Sequence, residues 1–271
     1  MRESRSSPIE TPFEDGNALS GFGKNCWEDV WQRVTLPQDR DRKRFHELHA
    51  VFSRYLPSGR ITFIEVGCAP GSWMSYFALN FGYIVSGLEY AEAAYEKTIE
   101  NLRLLSIPAQ VHLADFFEFE GDTYDVVFSY GFVEHFKDID RVISRLSALC
   151  RPGGYIVTVI PSLEGLNWWI SRHFRPEVAA GHYPITGAEL KILHERNSMI
   201  TLWSGLYGCY QIRPPLDNTR LARRYPFISK ILNAPFRAWN RVVSSVTRRI
   251  GLYPRSKIVY LGTVYIGRKQ N

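Results

Sequence analysis

The residues of this chain that could do chemistry begin in the stretch FIEVGCAPGSW, residues 63–73. An apolar run passes through an acid, Glu65, into a turn made of Gly67, Cys68, Ala69, Pro70 and Gly71, after which small residues open a helix. Such a turn puts backbone N–H groups at a helix N-terminus, where an anionic group can sit. A second acid, Glu89, ends the next apolar run 22 residues after Gly67, a spacing that suits a carboxylate accepting hydrogen bonds from both hydroxyls of an adenosine ribose. Two ligand classes use this arrangement, dinucleotides and S-adenosylmethionine. A dinucleotide turn wants three spaced glycines facing a pyrophosphate, but here the middle glycine is missing and Pro70 supplies no N–H. A ligand carboxylate needs fewer donors, and Glu65 suits a ligand with a positively charged amino group. The balance favours S-adenosylmethionine.

A second group of reactive side chains follows. YDVVFSYGFVEHFKD (124–138) holds Ser129, Tyr130, Glu134 and His135, and GHYPITGAEL (181–190) holds His182 and Tyr183. Imidazole can take a proton near neutral pH, so His135 and His182 are candidate bases. Tyr130 or Tyr183 could orient an acceptor instead. Each histidine also has a purely structural reading, as a loop-positioning side chain. Methyl transfer from a sulfonium needs in-line approach and exclusion of water more than it needs a base.

The elements that must position these groups alternate. Helical spacing of Phe45, Leu48, Val51, Phe52 and Tyr55 predicts a helix over 39–56. ITFIEV (61–66), YIVSGLE (83–89), AQVHLAD (109–115), YDVVFSY (124–130) and RPGGYIVTVIP (151–161) read as strands, with helices between them from about 72 to 80, through AEAAYEKTIENLRLL and near 138–150. Short β-branched strands separated by helices predict a parallel sheet covered on both faces, an open α/β sandwich. LNWWISRHF reads as an irregular helical excursion. Thr186 and Glu189 are spaced as a capping box for a helix over 186–197, and 198–208 and 257–267 read as the last two strands.

In these five segments, in order, the chain resembles the class I S-adenosylmethionine-dependent methyltransferases, small-molecule branch, over roughly 61–208. EVGCAPG resembles the family's first motif with Ala69 for its central glycine, and GLEY (87–90) its ribose clamp. AD followed by FF (114–117) resembles the third-strand end, where an Asp meets the adenine amino group and its neighbour packs on the ring; GHYPITGAEL resembles the substrate-side segment. The resemblance implies a Rossmann-like three-layer sandwich whose seven-stranded, mainly parallel sheet runs 3-2-1-4-5-7-6 with the last strand antiparallel. It implies S-adenosylmethionine as cofactor, held by Glu65, Gly67, Cys68, Ala69, Gly71, Glu89, Tyr90, Asp115, Phe116 and Ser129, and candidate catalytic roles for His135, His182 and Tyr130. Asp115 could instead simply cap its own turn. No metal is expected.

Charge is local. From Arg213 to Lys257 there are eleven Arg and Lys against the single acid Asp217, a net +10, while the whole chain is +6 and the remainder therefore −4. At about 100° per residue, Arg223, Lys230, Arg237, Arg241 and Arg248 fall on one side of a helix and Ile228, Leu232, Trp239, Val243, Val246 and Ile250 on the other; Pro226 and Pro235 are expected to break it into shorter pieces. Three readings compete: a helical cover packed on the acceptor pocket by its apolar side, a membrane-surface element meeting anionic lipid, and a nucleic-acid patch with interleaved aromatics. APGSW also resembles RNA ribose methyltransferases, but VVFSYGF and GGYIVTVIP lack that family's Asp and Lys, so nucleic acid ranks lower.

No apolar stretch reaches the length of a membrane span, and residues 1–20 lack a signal-peptide core. The expected organisation is a loose tail over 1–20, then one domain over 21–271 with an N-terminal helical lid (24–56) containing Trp27 and Trp31, and a basic helical insertion (213–256). Cys26, Cys68, Cys150 and Cys209 show no metal-ligand spacing and read as reduced thiols of a cytoplasmic protein, with peripheral contact at the inner face of a membrane as the further option. The expected function is O-methylation of a small-molecule, glycan or lipid-linked acceptor. The alternatives are an RNA methyltransferase and a non-catalytic cofactor sensor or interaction module.

Overall fold

The structure, a computed structural model, describes residues 23, 27, 28, 31, 32, 34–39, 45–217 and 219–271. The expected tail and much of the expected lid, Cys26 included, lie outside the described residues, as do the side chains of Arg220 and Arg223.

Seven strands form one sheet: β1 (Thr62–Val66), β2 (Ile84–Glu89), β3 (Ala109–Leu113), β4 (Tyr124–Tyr130), β5 (Cys150–Pro161), β6 (Met199–Tyr207) and β7 (Gly262–Lys269). Their order is β3-β2-β1-β4-β5-β7-β6. The first five pair in parallel, and β7 enters antiparallel between β5 and β6. This is the order and sense that the family resemblance implies. The strand order reverses outward from β1, so the carboxyl ends of β1 and β4 diverge into a crevice suited to a ligand. The last strand begins later than expected, at Gly262, because 257–261 has another partner. There the Ile258 carbonyl accepts from Leu166 N and the Val259 carbonyl from Tyr210 N.

Two apolar layers hold the helices to this sheet. On one face α1 (His46–Tyr55) and α2 (Ser72–Phe81) set Phe52, Trp73 and Phe77 against Phe63 and Phe128 of β1 and β4. α3 (Glu92–Leu104) adds Leu102 to the same layer. On the other face α4 (Ile139–Leu149) places Val142, Ile143 and Leu146, all at 0% exposure, against Ile64, Val127 and Ile156. Each such side chain contributes about 1.5–3 kcal/mol of burial. α7 (Gly187–Arg196) completes this layer, and its N-terminus carries the full capping box: Thr186 accepts from Glu189 N while Glu189 accepts from Thr186 N. The segment expected to be irregular is a regular helix, α5 (Gly165–Phe174), followed by the short α6 (Pro176–Ala180). Cys68, Cys150 and Cys209 are buried and unbridged.

The basic connection departs from expectation twice. After the short α8 (Arg220–Arg224), Pro226 does interrupt it, standing at the first position of α9 (Pro226–Ile250), where a missing N–H costs nothing. Pro235, however, lies inside a continuous 25-residue helix. The helix survives the lost bond because both halves are pinned to the preceding loop: Asn233 accepts from Leu216 N and donates to Asp217, and Asn240 pairs with both backbone groups of Ile212. Those pins also set its orientation, which is the reverse of one of the three readings, the cover packed by its apolar side. Ser229, Asn233, Asn240 and Ser244 face the protein, while much of the apolar stripe is exposed.

Candidate functional site

The turn after β1 is shaped by its two glycines. Gly67 (φ 70°) and Gly71 (φ 80°) both adopt the left-handed conformation that disfavours a side chain. A Cβ at Gly67 would stand 2.8 Å from the Phe132 ring and one at Gly71 2.9 Å from Leu102, so the turn is closed against added bulk. Gly71 is also the N-cap of α2, which starts without a side-chain cap. A helix start capped by glycine leaves its first-turn N–H groups without a cap from the N-cap side chain, the setting in which an anionic group can bind.

Glu89, 7% exposed, ends β2 beside this turn. Its carboxylate accepts from Tyr90 N at 2.9 Å and Ala91 N at 3.3 Å, and also from Ala69 N in the turn. Burial raises its pKa, and those three N–H groups oppose the rise. Glu65 is buried in β1, in register with Gly87 of β2 and Phe128 of β4. The Cys68 thiol is fully buried; burial and the charges of Glu89 and Glu65 push its pKa up, so it stays neutral. Ser129 pairs with Val66 at the mouth of β4, its buried hydroxyl making no hydrogen bond among the described residues. After β3, Asp115 accepts from Phe117 N at 2.7 Å, which is the turn-capping geometry. Phe116 packs edge-on against Phe132, the ring that also closes on Gly67. The structure thus brings together, at the ends of β1 to β4, the ten residues singled out for a cofactor. An adenosine ligand with a carboxylate fits this cradle: a glycine-capped helix start, a buried acid one strand away, and an aromatic wall.

Part of the expected lid crosses this mouth. The Glu28 carboxylate accepts from Glu92 N and Ala93 N, capping α3, while the neighbouring Trp27 ring meets His135 at 5.2 Å. Further on, Gln38 pairs with Asn101, which also donates to the Pro70 carbonyl of the turn. These contacts span from the ribose side of the crevice to the histidines.

The other side of the mouth is built from side chains distant in sequence. A 3-10 turn at Val133–His135 follows β4, and Tyr183 N bonds to the Glu134 carbonyl, drawing the 181–183 loop over it. His135 and His182 then lie with ring centroids 4.6 Å apart. Each turns Nδ1 to a backbone carbonyl, Gly181 at 2.9 Å and Val178 at 2.6 Å, so in the neutral rings Nδ1 carries the hydrogen and Nε2 is the basic nitrogen. Burial and the neighbouring His182 pull His135 down to about 4; burial, then Arg213 and Arg175, lower His182. Both are neutral at pH 7. Glu134, at 0% exposure, has both carboxylate oxygens buried with no hydrogen-bond partner among the described residues. Burial raises it to about 8, even though its own backbone N–H and then the charge of Arg213 favour ionisation.

Arg175 and Arg213 complete this side. Both guanidiniums point at one hydroxyl, Ser171 Oγ, at 3.2 Å. Neither forms an ion pair among the described residues, and the buried Arg175 Nε has no hydrogen-bond partner there. Burial and then the like charge of Arg213 pull Arg175 down to about 10. Ligand atoms of Glu134, His135 and His182 lie within 4.8 Å of one another, close enough for a metal, but the positive charges of Arg213 and Arg175 at this cluster suit an anion better. Tyr130 stands apart from the histidines, its ring on Trp73 and its hydroxyl 3.0 Å from that of Tyr207. Glu134, Arg175 and Arg213 are the side chains that reading the sequence for sites passed over. Glu134 was signalled only by its place beside His135.

A family model described as a methyltransferase domain matches residues 40–206, more than half of the chain. No curated protein sequence matches. Solved structures with the same fold include coclaurine N-methyltransferase bound to N-methylheliamine and S-adenosylhomocysteine (TM-score 0.59, 14% identity, covering 87% of this chain and 75% of that one). Another is phosphoethanolamine N-methyltransferase 2 of Haemonchus contortus with S-adenosyl-L-methionine (TM-score 0.56, 16% identity, 84% and 53%). A third is geranyl diphosphate C-methyltransferase of Streptomyces coelicolor with Mg2+, geranyl diphosphate and S-adenosylhomocysteine (TM-score 0.54, 13% identity, 83% and 77%).

Proposed function

The chain belongs to the methyltransferase-domain family, of the class I S-adenosylmethionine-dependent kind, and we propose that it methylates an oxygen of a small amphiphilic acceptor, a glycan or lipid-linked intermediate, that carries an acidic group. We place its work in the cytoplasm, peripherally at the inner face of a membrane. No described helix is long and apolar enough to cross one.

The observation that carries this reading is the pair of guanidiniums, Arg175 and Arg213, aimed at a single neutral hydroxyl, with the charge of Arg213 also acting on Glu134. Two cations with no carboxylate in ion-pair contact among the described residues, Asp217 and Glu177 acting on Arg175 only from a distance, suit a phosphate or carboxylate, which a planar donor fork grips in two places. Two of the structural neighbours, at low identity, carry phosphorylated compounds in their names, and they are an N- and a C-methyltransferase, so the oxygen preference rests on this chain's own residues.

Bound S-adenosylmethionine supplies a methyl group on a positively charged sulfur, ready to leave. The turn 67–71 would hold its carboxylate, Glu89 the ribose, and Asp115 with Phe116 the adenine. A hydroxyl acceptor must shed a proton when it is methylated. Glu134, with a pKa near neutrality and no competing bond among the described residues, is the group best matched to receive it. His135 and His182, neutral and braced by carbonyls, present Nε2 on the same side and orient the acceptor hydroxyl. Trp27 shields this corner from water.

The test is release of S-adenosylhomocysteine from matched acceptors that differ only in a phosphate or carboxylate, with the new methyl located by NMR. Turnover confined to the acidic members, an O-methyl signal, and an Arg213→Gln variant with KM raised about tenfold at little cost in kcat are expected, since one charge-assisted bond contributes about 1.5–3 kcal/mol. Equal use of the neutral members, or a methyl on nitrogen or carbon, would sink the reading. Cofactor binding without turnover on any acceptor would favour a sensor.

A further inference from the structure

We propose that α9 is an interfacial helix that docks the enzyme on an anionic lipid bilayer by its apolar face. The proposal rests on the peripheral location given above and names the surface that achieves it.

A surface helix of a soluble domain ordinarily buries its apolar stripe and wets its polar one. α9 does the opposite. The side it turns to the protein carries Ser229, Asn233, Asn240 and Ser244, and it is fixed there by hydrogen bonds to Ile212, Leu216, Asp217 and His46 rather than by apolar packing. The opposite side exposes Phe227 (73%), Ile231 (55%), Val242 (56%) and Ile250 (60%), spaced so that they share one stripe of the helix. Beyond the helix, Leu252 (68%) and Ile258 (71%) are exposed as well. Contiguous apolar surface of this kind marks an interaction site, since scattered exposed residues would not align.

What covers the stripe is indicated by charge. Lys230, Arg237, Arg241 and Arg248 are exposed along its flank, and the segment 213–257 carries a net +10 in a chain whose remainder is −4. An apolar stripe with a row of cations beside it is the pattern of a helix lying in the plane of a bilayer, apolar side chains at the acyl boundary and Lys and Arg among anionic headgroups. Trp239, half exposed with its indole N–H held by the Tyr210 carbonyl, suits the headgroup level. A second copy of the chain would bring the same +10 segment against itself.

The experiment is sedimentation of the full chain with vesicles of phosphatidylcholine alone and with about a third phosphatidylglycerol, alongside light scattering without lipid. Three proteins are compared: wild type, Ile231→Asp with Val242→Asp, and Arg241→Gln with Arg248→Gln. All four side chains are exposed, so folding should persist, and circular dichroism checks it. Binding to the anionic vesicles only, weakened at least tenfold by the aspartates and roughly fivefold per arginine removed, is the expected result. A monomer that ignores both vesicles overturns the proposal together with the peripheral location. Anionic binding that the aspartates leave intact overturns the docking face alone. A dimer that the aspartates dissociate, with no lipid binding, gives the face to a second copy and also overturns it.

Discussion

The two sides of the crevice at the strand ends satisfy their polar groups in different ways. On the cofactor side the acids are answered by backbone: Glu89 by the N–H groups of Tyr90, Ala91 and Ala69, and Asp115 by that of Phe117. On the acceptor side Glu134 and the Arg175 Nε are buried with no hydrogen-bond partner among the described residues, and Arg175 and Arg213 share one hydroxyl. A buried polar group without a partner costs about 1–3 kcal/mol. The acids Glu89 and Asp115 of the first side are therefore held by backbone, whereas the second side holds charged groups whose interactions an acceptor could take up. Strain of this kind at a site is expected where a protein gives up stability for function.

The comparison can be broken first at Glu134. Glu134→Gln keeps the shape but cannot accept the proton, and turnover is expected to fall about 10²–10⁴-fold, the range for a lost general base, as read by steady-state release of S-adenosylhomocysteine. A loss under tenfold would remove Glu134 from the proposed chemistry. Next is Glu89→Ala, for which cofactor affinity is expected to drop about 10–100-fold, from losing a charge-assisted acceptor, with little change in the affinity for acceptor.

The contrast sharpens in the pH dependence of stability. Glu134 has a folded pKa of about 8 against an ordinary value of 4.5. Its contribution is therefore fully present below pH 4.5 and is lost as pH rises towards 8, because the unfolded chain ionises first. Glu134→Gln should accordingly raise the melting temperature at pH 8 by several degrees, at about 2–4 °C per kcal/mol, and leave it nearly unchanged at pH 4.5. An equal effect at both pH values would mean that Glu134 is not held neutral. Smallest is Glu28→Ala, which removes the acceptor capping α3. A cap contributes about 1 kcal/mol, so a drop of a few degrees and at most a few-fold weaker cofactor binding are expected from a melting scan and a titration.

Much of the first side is legible in the sequence because it is made of consecutive residues. The strand pattern gives a parallel sheet covered on both faces, the family resemblance gives its order, the spacing of Gly67, Gly71 and Glu89 suggests the cradle, and Thr186 with Glu189 gives a helix start that the structure reproduces. The second side assembles Glu134, Arg175, His182 and Arg213 from four separate segments, and no local period announces that meeting. α9 shows the other limit. The helical wheel separates its apolar from its basic residues but cannot say which side faces the protein. That is decided by Asn233 and Asn240 reaching the 212–217 loop, a tertiary choice that also carries the helix through Pro235.

The most direct test is calorimetric titration of S-adenosylmethionine into folded, ligand-free wild type, Glu89→Ala and Glu134→Gln. If the two sides have separate tasks, wild type binds, Glu89→Ala binds at least tenfold more weakly, and Glu134→Gln stays within twofold of wild type while losing turnover. Absence of binding to wild type, or a Glu134→Gln loss as large as that of Glu89→Ala, would contradict the division.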